Sequence, residues 1–170
     1  MIQKKLEVTN ISEITAFLNA CHVIRMGFIS GDFPYVVPSN YGFNLSRNGS
    51  LSFFVHGSSE GFKSELMRRT NNVGIEIDDG GRYLTPEEAQ DHTPTYAYSS
   101  LMGFGKLNIL SSFADKKRAM ETLLKHESGN EAQKIMNEVT NSDIETVFVC
   151  RIEMVDYSMR QNHENGKFID

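Results

Sequence analysis

The strongest constraint on the fold is the punctuation of the first third of the chain. Three apolar stretches, 23–30, 33–45 and 51–55, are separated only by Gly31-Asp32 and by Arg47-Asn48-Gly49. Turns this short can join antiparallel neighbours, whereas parallel strands need a crossover of a dozen or more residues. Pro38 interrupts the second stretch and marks it as an edge or a bulge, because proline cannot donate to a ladder. Val73, Ile75 and Ile77 alternate as a further strand, and strands are expected over 99–110 and 146–156. Three helices fall between them. Residues 12–20 carry Ile14, Phe17 and Leu18 on one face behind a Ser12 cap. A second helix runs over about 61–69. Residues 113–125 turn Ala114, Ala119, Met120, Leu123 and Leu124 inward. Strands in hairpin order with short helices between them predict a mainly β, α+β architecture: an antiparallel barrel with peripheral helices. The 170 residues fit one domain over 1–160, followed by a polar tail over 161–170. Residues 78–97, punctuated by Gly80, Gly81, Pro86 and Pro94, read as a long loop of the kind that is often functional.

Charge and composition remove several function classes. The net charge is −5 with no basic tail, which argues against a nucleic-acid partner. No apolar run is long enough to cross a bilayer, and the first ten residues lack the apolar core of a signal peptide. Cys21 and Cys150 are isolated and are expected as buried thiols in a reducing cytoplasm. The five histidines never form a close pair, so no metal site is predicted. A Gly-x-Ser-x-Gly elbow is missing. Gly103 and Gly105 begin a Gly-x-Gly, but position 108 is Asn, so these glycines are expected to allow a bulge or a close backbone approach within a strand.

Two stretches carry chemistry. In LSFFVHGSSEGFKSELMRRT (51–70) an apolar strand ends at His56, and a Gly- and Ser-rich turn leads into a helix opening with Phe62 and Lys63. Lys63, His56, Ser58, Ser59 and the amides near Gly61 make a candidate seat for an anion, helped by the positive end of the helix dipole. The same residues read equally well as a Ser/Gly loop capping a helix, with Lys63, Arg68 and Arg69 solvated. The second stretch, PYVVPSNYGF (34–43), tips the balance. Pairing is interrupted at Pro38, so neighbouring backbone groups are free to face a flat heteroaromatic ring.

Taken together, RMGFISGDFPYVVPSNYGF, LSFFVHGSSEGFKSELMRR and YSSLMGFGK resemble the flavin-binding split-barrel proteins related to pyridoxamine 5'-phosphate oxidase, closest to the branch that includes nitroimidazole-resistance proteins. The resemblance runs from about Arg25 to Lys106, with strand and helix order continuing to about Asp156. It implies an antiparallel split β-barrel and a homodimer with FMN at the interface. The flavin ring would lie along Val36, Val37, Pro38, Ser39 and Asn40. The phosphate would be held by His56, Gly57, Ser58, Gly61 and Lys63, with Tyr98 and Ser100 approaching the site. His56 would also serve the chemistry. Gly57 stands where the family usually has Ala or Ser. The substrate-binding C-terminal segment of the oxidase proper has no counterpart, since the chain contains no Trp.

The expected function is a flavin-dependent oxidoreductase acting on nitroaromatic (nitroimidazole) or quinone-like small molecules, with FMN or else FAD as cofactor. Two alternatives stand beside it: a flavin-binding protein without turnover, and a haem-binding split barrel using His92 or His163. The flavin reading requires Lys63 and Asn40 to share one cleft.

Overall fold

The computed structural model describes residues 6–89, 92 and 94–162. The strands are β1 (Glu7–Val8), β2 (Ile24–Ser30), β3 (Phe33–Ser39), β4 (Gly42–Leu45), β5 (Leu51–Gly57), β6 (Asn72–Asp78), β7 (Arg82–Leu84), β8 (Thr95–Ile109) and β9 (Phe148–Asn162). The helices are α1 (Ile11–Ala20), α2 (Phe62–Arg69), α3 (Phe113–Ser128), α4 (Ala132–Glu138) and α5 (Asn141–Thr146). No helix among the described residues is long and apolar enough to cross a membrane.

All pairings are antiparallel, in the order β3-β2-β6-β8-β9-β5-β4, with β1 added to β9 and β7 to β8. The expected second strand over 33–45 is in fact two, β3 and β4, and they lie at opposite ends of this order. Yet only Asn40 and Tyr41 connect them, so the Cα atoms of Ser39 and Gly42 are at most about 11 Å apart. The sheet therefore curls until its two ends approach without pairing, which is a split barrel rather than a closed one. The break falls where Tyr41 turns inward: its ring is fully buried and its hydroxyl donates to the Leu18 carbonyl at 2.8 Å.

Inward-facing residues of the alternating strands, among them Ile24, Met26, Phe28, Phe53, Ile77, Leu101 and Ile152, form the core with Phe17 and Leu18 of α1. The α1 cap is Asn10 rather than Ser12; its Oδ1 accepts from the amides of Ser12 and Glu13. Helix α3 lies directly on the start of β4, where a Cβ built on Gly42 would fall 2.6 Å from Leu123 Cα. Gly103 and Gly105 behave as expected. The β8–β9 register shifts at Phe104/Gly105, and a Cβ on Gly103 would sit 2.3 Å from the Asp156 carbonyl oxygen.

Several boundaries depart from expectation. Residues 78–97 are not a bare loop: β7 pairs with the first residues of β8, which starts at Thr95 instead of 99. Helix α3 continues to Ser128, and α4 and α5 fill a stretch for which no element was expected. α5 opens on a capping box between Thr140 and Asp143 and takes in Thr146, so the last strand starts at Phe148. That strand runs to Asn162, two residues into the expected tail. The tail's remainder lies outside the described residues. Cys21 and Cys150 are buried and free.

Candidate functional site

The strand-to-helix junction between β5 and α2 is the first part of the site. Gly61 precedes the helix with φ +101°, a backbone conformation glycine tolerates, and no side chain caps the first-turn amides. The loop is held from several sides. Ser58 Oγ accepts from the Glu60 amide at 3.0 Å, and buried Ser64 donates to the Gly61 carbonyl at 2.8 Å. The Arg68 guanidinium donates to the Ser59 carbonyl at 2.7 Å and lies over the Phe148 ring, 5.0 Å from its centroid. Arg68 is exposed, as expected, and from α2 it also ties down the loop. Lys63 folds back so that its ammonium lies over Gly57. A Cβ there would come within 2.8 Å of Nζ. Among the described residues no carboxylate pairs with Lys63. A cation, open helix amides and a glycine floor make a cradle suited to an anion.

The second part is the edge strand β3. Tyr35 and Phe62 meet edge to face at 4.9 Å, which packs the start of α2 against this strand and joins the two sequence motifs. Val36 and Pro38 are exposed, while Val37 and Ser39 are half-buried. Pro38 is paired across to Arg25 in β2.

The third part was not legible in the motifs. Asn40 Nδ2 donates to the His22 carbonyl at 3.1 Å and to Glu127 Oε2 at 3.3 Å. Glu127 Oε1 lies 3.2 Å from His126 Nδ1 and 3.5 Å from His22 Nδ1. His126 is buried between α1 and β4, with Nδ1 2.6 Å from the Tyr41 carbonyl and Nε2 2.9 Å from the Leu18 carbonyl. The three groups lie within 4.8 Å of one another, close enough to suggest a metal cluster. However, both His126 nitrogens face acceptors and must carry hydrogens to satisfy them, so neither has a lone pair to offer a metal. The cluster is instead a partly buried hydrogen-bonded hub that ties α3 to α1 and to the β3–β4 connection.

His56 stands near the end of β5, where the loop begins. Partial burial and, after it, the Lys63 ammonium hold its imidazole below the ordinary histidine range, while the Glu127 charge acts in the opposite direction. Lys63 and Glu127 therefore both act on this ring, and Asn40 is hydrogen-bonded to Glu127.

Tyr98 and Ser100 lie further along the sheet, on β8, separated from β3 by β2 and β6. Cross-strand partners share a face, so Pro38, Arg25, Glu76 and Met102 form one row across four strands, with Asp78 and Ser100 in the next. Arg25 bonds Glu76 at 3.0 Å and also pairs with Asp78. Burial and the Asp78 charge raise the Glu76 carboxyl above its usual range, against the pull of Arg25. This ion cluster lies between the Tyr98–Ser100 segment and the ring strand.

A family model described as pyridoxamine 5'-phosphate oxidase matches residues 10–161. The chain belongs to the pyridoxamine 5'-phosphate oxidase family. Solved members of this fold superpose on it well. A candidate 5-nitroimidazole antibiotic resistance protein from Bacteroides thetaiotaomicron gives a TM-score of 0.74 at 19% identity, covering 91% of this chain and 85% of that one. The flavocytochrome Anf3 from Azotobacter vinelandii gives 0.73 at 17%, covering 96% and 72%. An FAD- and heme-binding protein from Mycobacterium smegmatis gives 0.73 at 12%, covering 93% and 74%. At these identities the likeness establishes the shared split-barrel fold. No curated protein matches the chain significantly by sequence.

Proposed function

We propose that the protein is a flavin-dependent oxidoreductase that binds FMN and reduces nitroaromatic or quinone-like small molecules. The observation that carries this reading is the β5–α2 junction: an uncapped helix start beside an unpaired Lys63 lying over Gly57. Such a cradle fits one phosphate group, which favours FMN over FAD. Lys63 and the amides after Gly61 would hold the phosphate, with Ser58 and His56 at its rim. Val36, Val37, Pro38, Ser39 and Asn40 would flank the ring, with Tyr98 and Ser100 approaching it along the sheet face. The bound flavin would supply the redox chemistry. The chain would then supply position and proton handling. Its depressed titration keeps His56 neutral near pH 7, so a ring nitrogen can accept a proton or pass one on.

The outer sheet face supports a homodimer. Ile29, Val36, Phe104 and Val155 are 74%, 58%, 55% and 61% exposed, and the register places Val36, Gly27, Gly74 and Phe104 in one row. An apolar face of this extent suits a second copy of the chain. Buried free thiols suit a reducing cytoplasm. The candidate 5-nitroimidazole resistance protein of the same fold points to nitroaromatic substrates.

The test starts with the visible spectrum of purified protein and the mass of any ligand released on denaturation. Neither bound flavin nor uptake of added FMN would reject the reading. Lys63→Ala should weaken FMN binding by about 1.5–3 kcal/mol, the value of a charged hydrogen bond. Turnover with NADH or NADPH and a nitroaromatic acceptor separates an enzyme from a flavin carrier.

A second reading adds haem, since two proteins of this fold are described as a flavocytochrome and as an FAD- and heme-binding protein. Exposed His92 has Nδ1 3.0 Å from the Pro86 carbonyl, which leaves Nε2 available. His163 lies outside the described residues. A Soret band on adding haemin, lost in His92→Ala, would support this reading.

A further inference from the structure

Asn40 has a defined polarity. Its Nδ2 faces two acceptors, the His22 carbonyl and Glu127 Oε2. A carbonyl and a carboxylate can be satisfied only by the amide NH2, so this chemistry fixes which way the amide is turned. Both donors are then used, and among the described residues Oδ1 receives no hydrogen bond. The exposed side chain thus offers an acceptor and no donor.

Glu127 is itself held in place. It sits at the end of α3, next to His126, whose two nitrogens are committed to the Tyr41 and Leu18 carbonyls. The Glu127 carboxylate lies 3.2 Å from Nδ1 of that ring. Gly42 lets α3 lie on β4 closely enough for this contact.

We propose that Glu127 is a positioning residue that fixes Asn40 as a hydrogen-bond acceptor, so that the site selects a flat heterocycle presenting a ring N–H at that edge. This rests on the flavin reading, because the imide N–H of a flavin ring is such a donor. A ring with an acceptor or a methyl group in that position would leave Oδ1 unpaired or blocked.

The test compares FMN with 3-methyl-FMN, which lacks the imide hydrogen, by titration of the full chain freed of bound flavin. Wild type should bind FMN about tenfold more tightly than the methylated ring, the worth of one hydrogen bond. Glu127→Ala, which leaves only the His22 carbonyl to orient the amide, should lower that ratio. Glu127→Gln, which keeps an acceptor oxygen for Asn40, should retain most of it. A merely structural role for Glu127 would lower both affinities together and leave the ratio intact, and that result would overturn the proposal. Equal wild-type affinities for the two flavins would also overturn it, and this comparison needs no variant should Glu127→Ala fail to fold. Failure of wild type to bind either flavin would instead overturn the flavin reading, and this inference with it.

Discussion

Gly42→Ala tests the packing on which the site depends. A Cβ at this position would meet Leu123 Cα at 2.6 Å, Leu123 N at 2.7 Å and the Thr122 carbonyl carbon at 2.8 Å. All three are backbone atoms of α3, so no rotamer change relieves the contact. Carbon atoms pack at about 3.5–4.0 Å, and the helix must therefore retreat by about 1 Å. The Gly42 backbone lies outside the left-handed region, so alanine brings no conformational strain of its own. Its smaller unfolded-state entropy would even stabilise by about 0.4–1 kcal/mol. The clash opposes this gain. Overpacking a core contact costs about 1–3 kcal/mol, and a rigid helix backbone belongs at the upper end, so the net loss should be near 2 kcal/mol. For a chain of this length that lowers Tm by about 4–8 °C, readable by circular dichroism and urea denaturation. FMN binding should weaken as well, because the displaced helix carries Glu127. Gly27→Ala is the control: its nearest non-neighbouring atom, the Gly74 carbonyl oxygen, would be 3.8 Å away. A Gly42→Ala protein as stable as wild type would refute the close seating of α3 on β4.

Three further outcomes follow from the geometry. Lys63→Met should raise the His56 titration midpoint part of the way to the ordinary histidine value, since burial, the larger cause, remains; NMR titration of the imidazole reads this directly. The folded protein binds a proton at His56 less readily than the unfolded chain. This contribution to stability is therefore complete above about pH 6.5 and is lost as pH falls below it; Lys63→Met should make that decline shallower in urea midpoints measured against pH. Gly103→Ala places a Cβ 2.3 Å from the Asp156 carbonyl oxygen in the middle of the longest strand pair and should cost about 3 kcal/mol in denaturant titrations. Thr140→Ala removes the α5 capping box and should cost about 1 kcal/mol in urea denaturation.

The parts of the fold written in local sequence were legible. Gly31-Asp32 and Asn48-Gly49 announce tight turns, and α1, α2 and α3 show their apolar faces. Gly103 and Gly105 could be read as points of close approach before any partner strand was known. The break at Asn40–Tyr41 was hidden, because apolar character continues across it; it is caused by Tyr41 reaching Leu18, a contact between residues 23 apart in sequence. The α5 capping box is written in the sequence as Thr140 followed three residues later by Asp143, a short polar signal with no apolar run behind it. The site divides along the same line. His56, Gly61 and Lys63 lie on one short segment with a recognisable spacing, whereas Glu127 reaches Asn40 across 87 residues. Nothing in the local pattern of α3 separates Glu127 from the other charged residues on its surface. The Arg68 contact with the Ser59 carbonyl was hidden for a similar reason: its partner lies back in the loop, not on the same helix face.

The open seam of the barrel bears directly on the site. If β3 and β4 paired, ladder bonds would consume the backbone donors and acceptors along both edges, and the barrel would close over its own seam. Two features oppose that closure. Pro38 removes a donor from β3, and Asn40 is drawn toward the His22 carbonyl and Glu127, away from any continuation of the strand. The β4 edge is covered by α3, which Gly42 admits. The β3 edge keeps Val36 and Pro38 exposed beside the Tyr35–Phe62 contact that brings the Lys63 cradle alongside. An uncovered apolar edge invites association in water, so leaving it open is costly unless a ring or a second subunit covers it. The same reasoning explains why the anion seat and the edge strand are packed together: a ligand with a phosphate at one end and a flat ring at the other can occupy both at once, and either feature alone would bind it far more weakly.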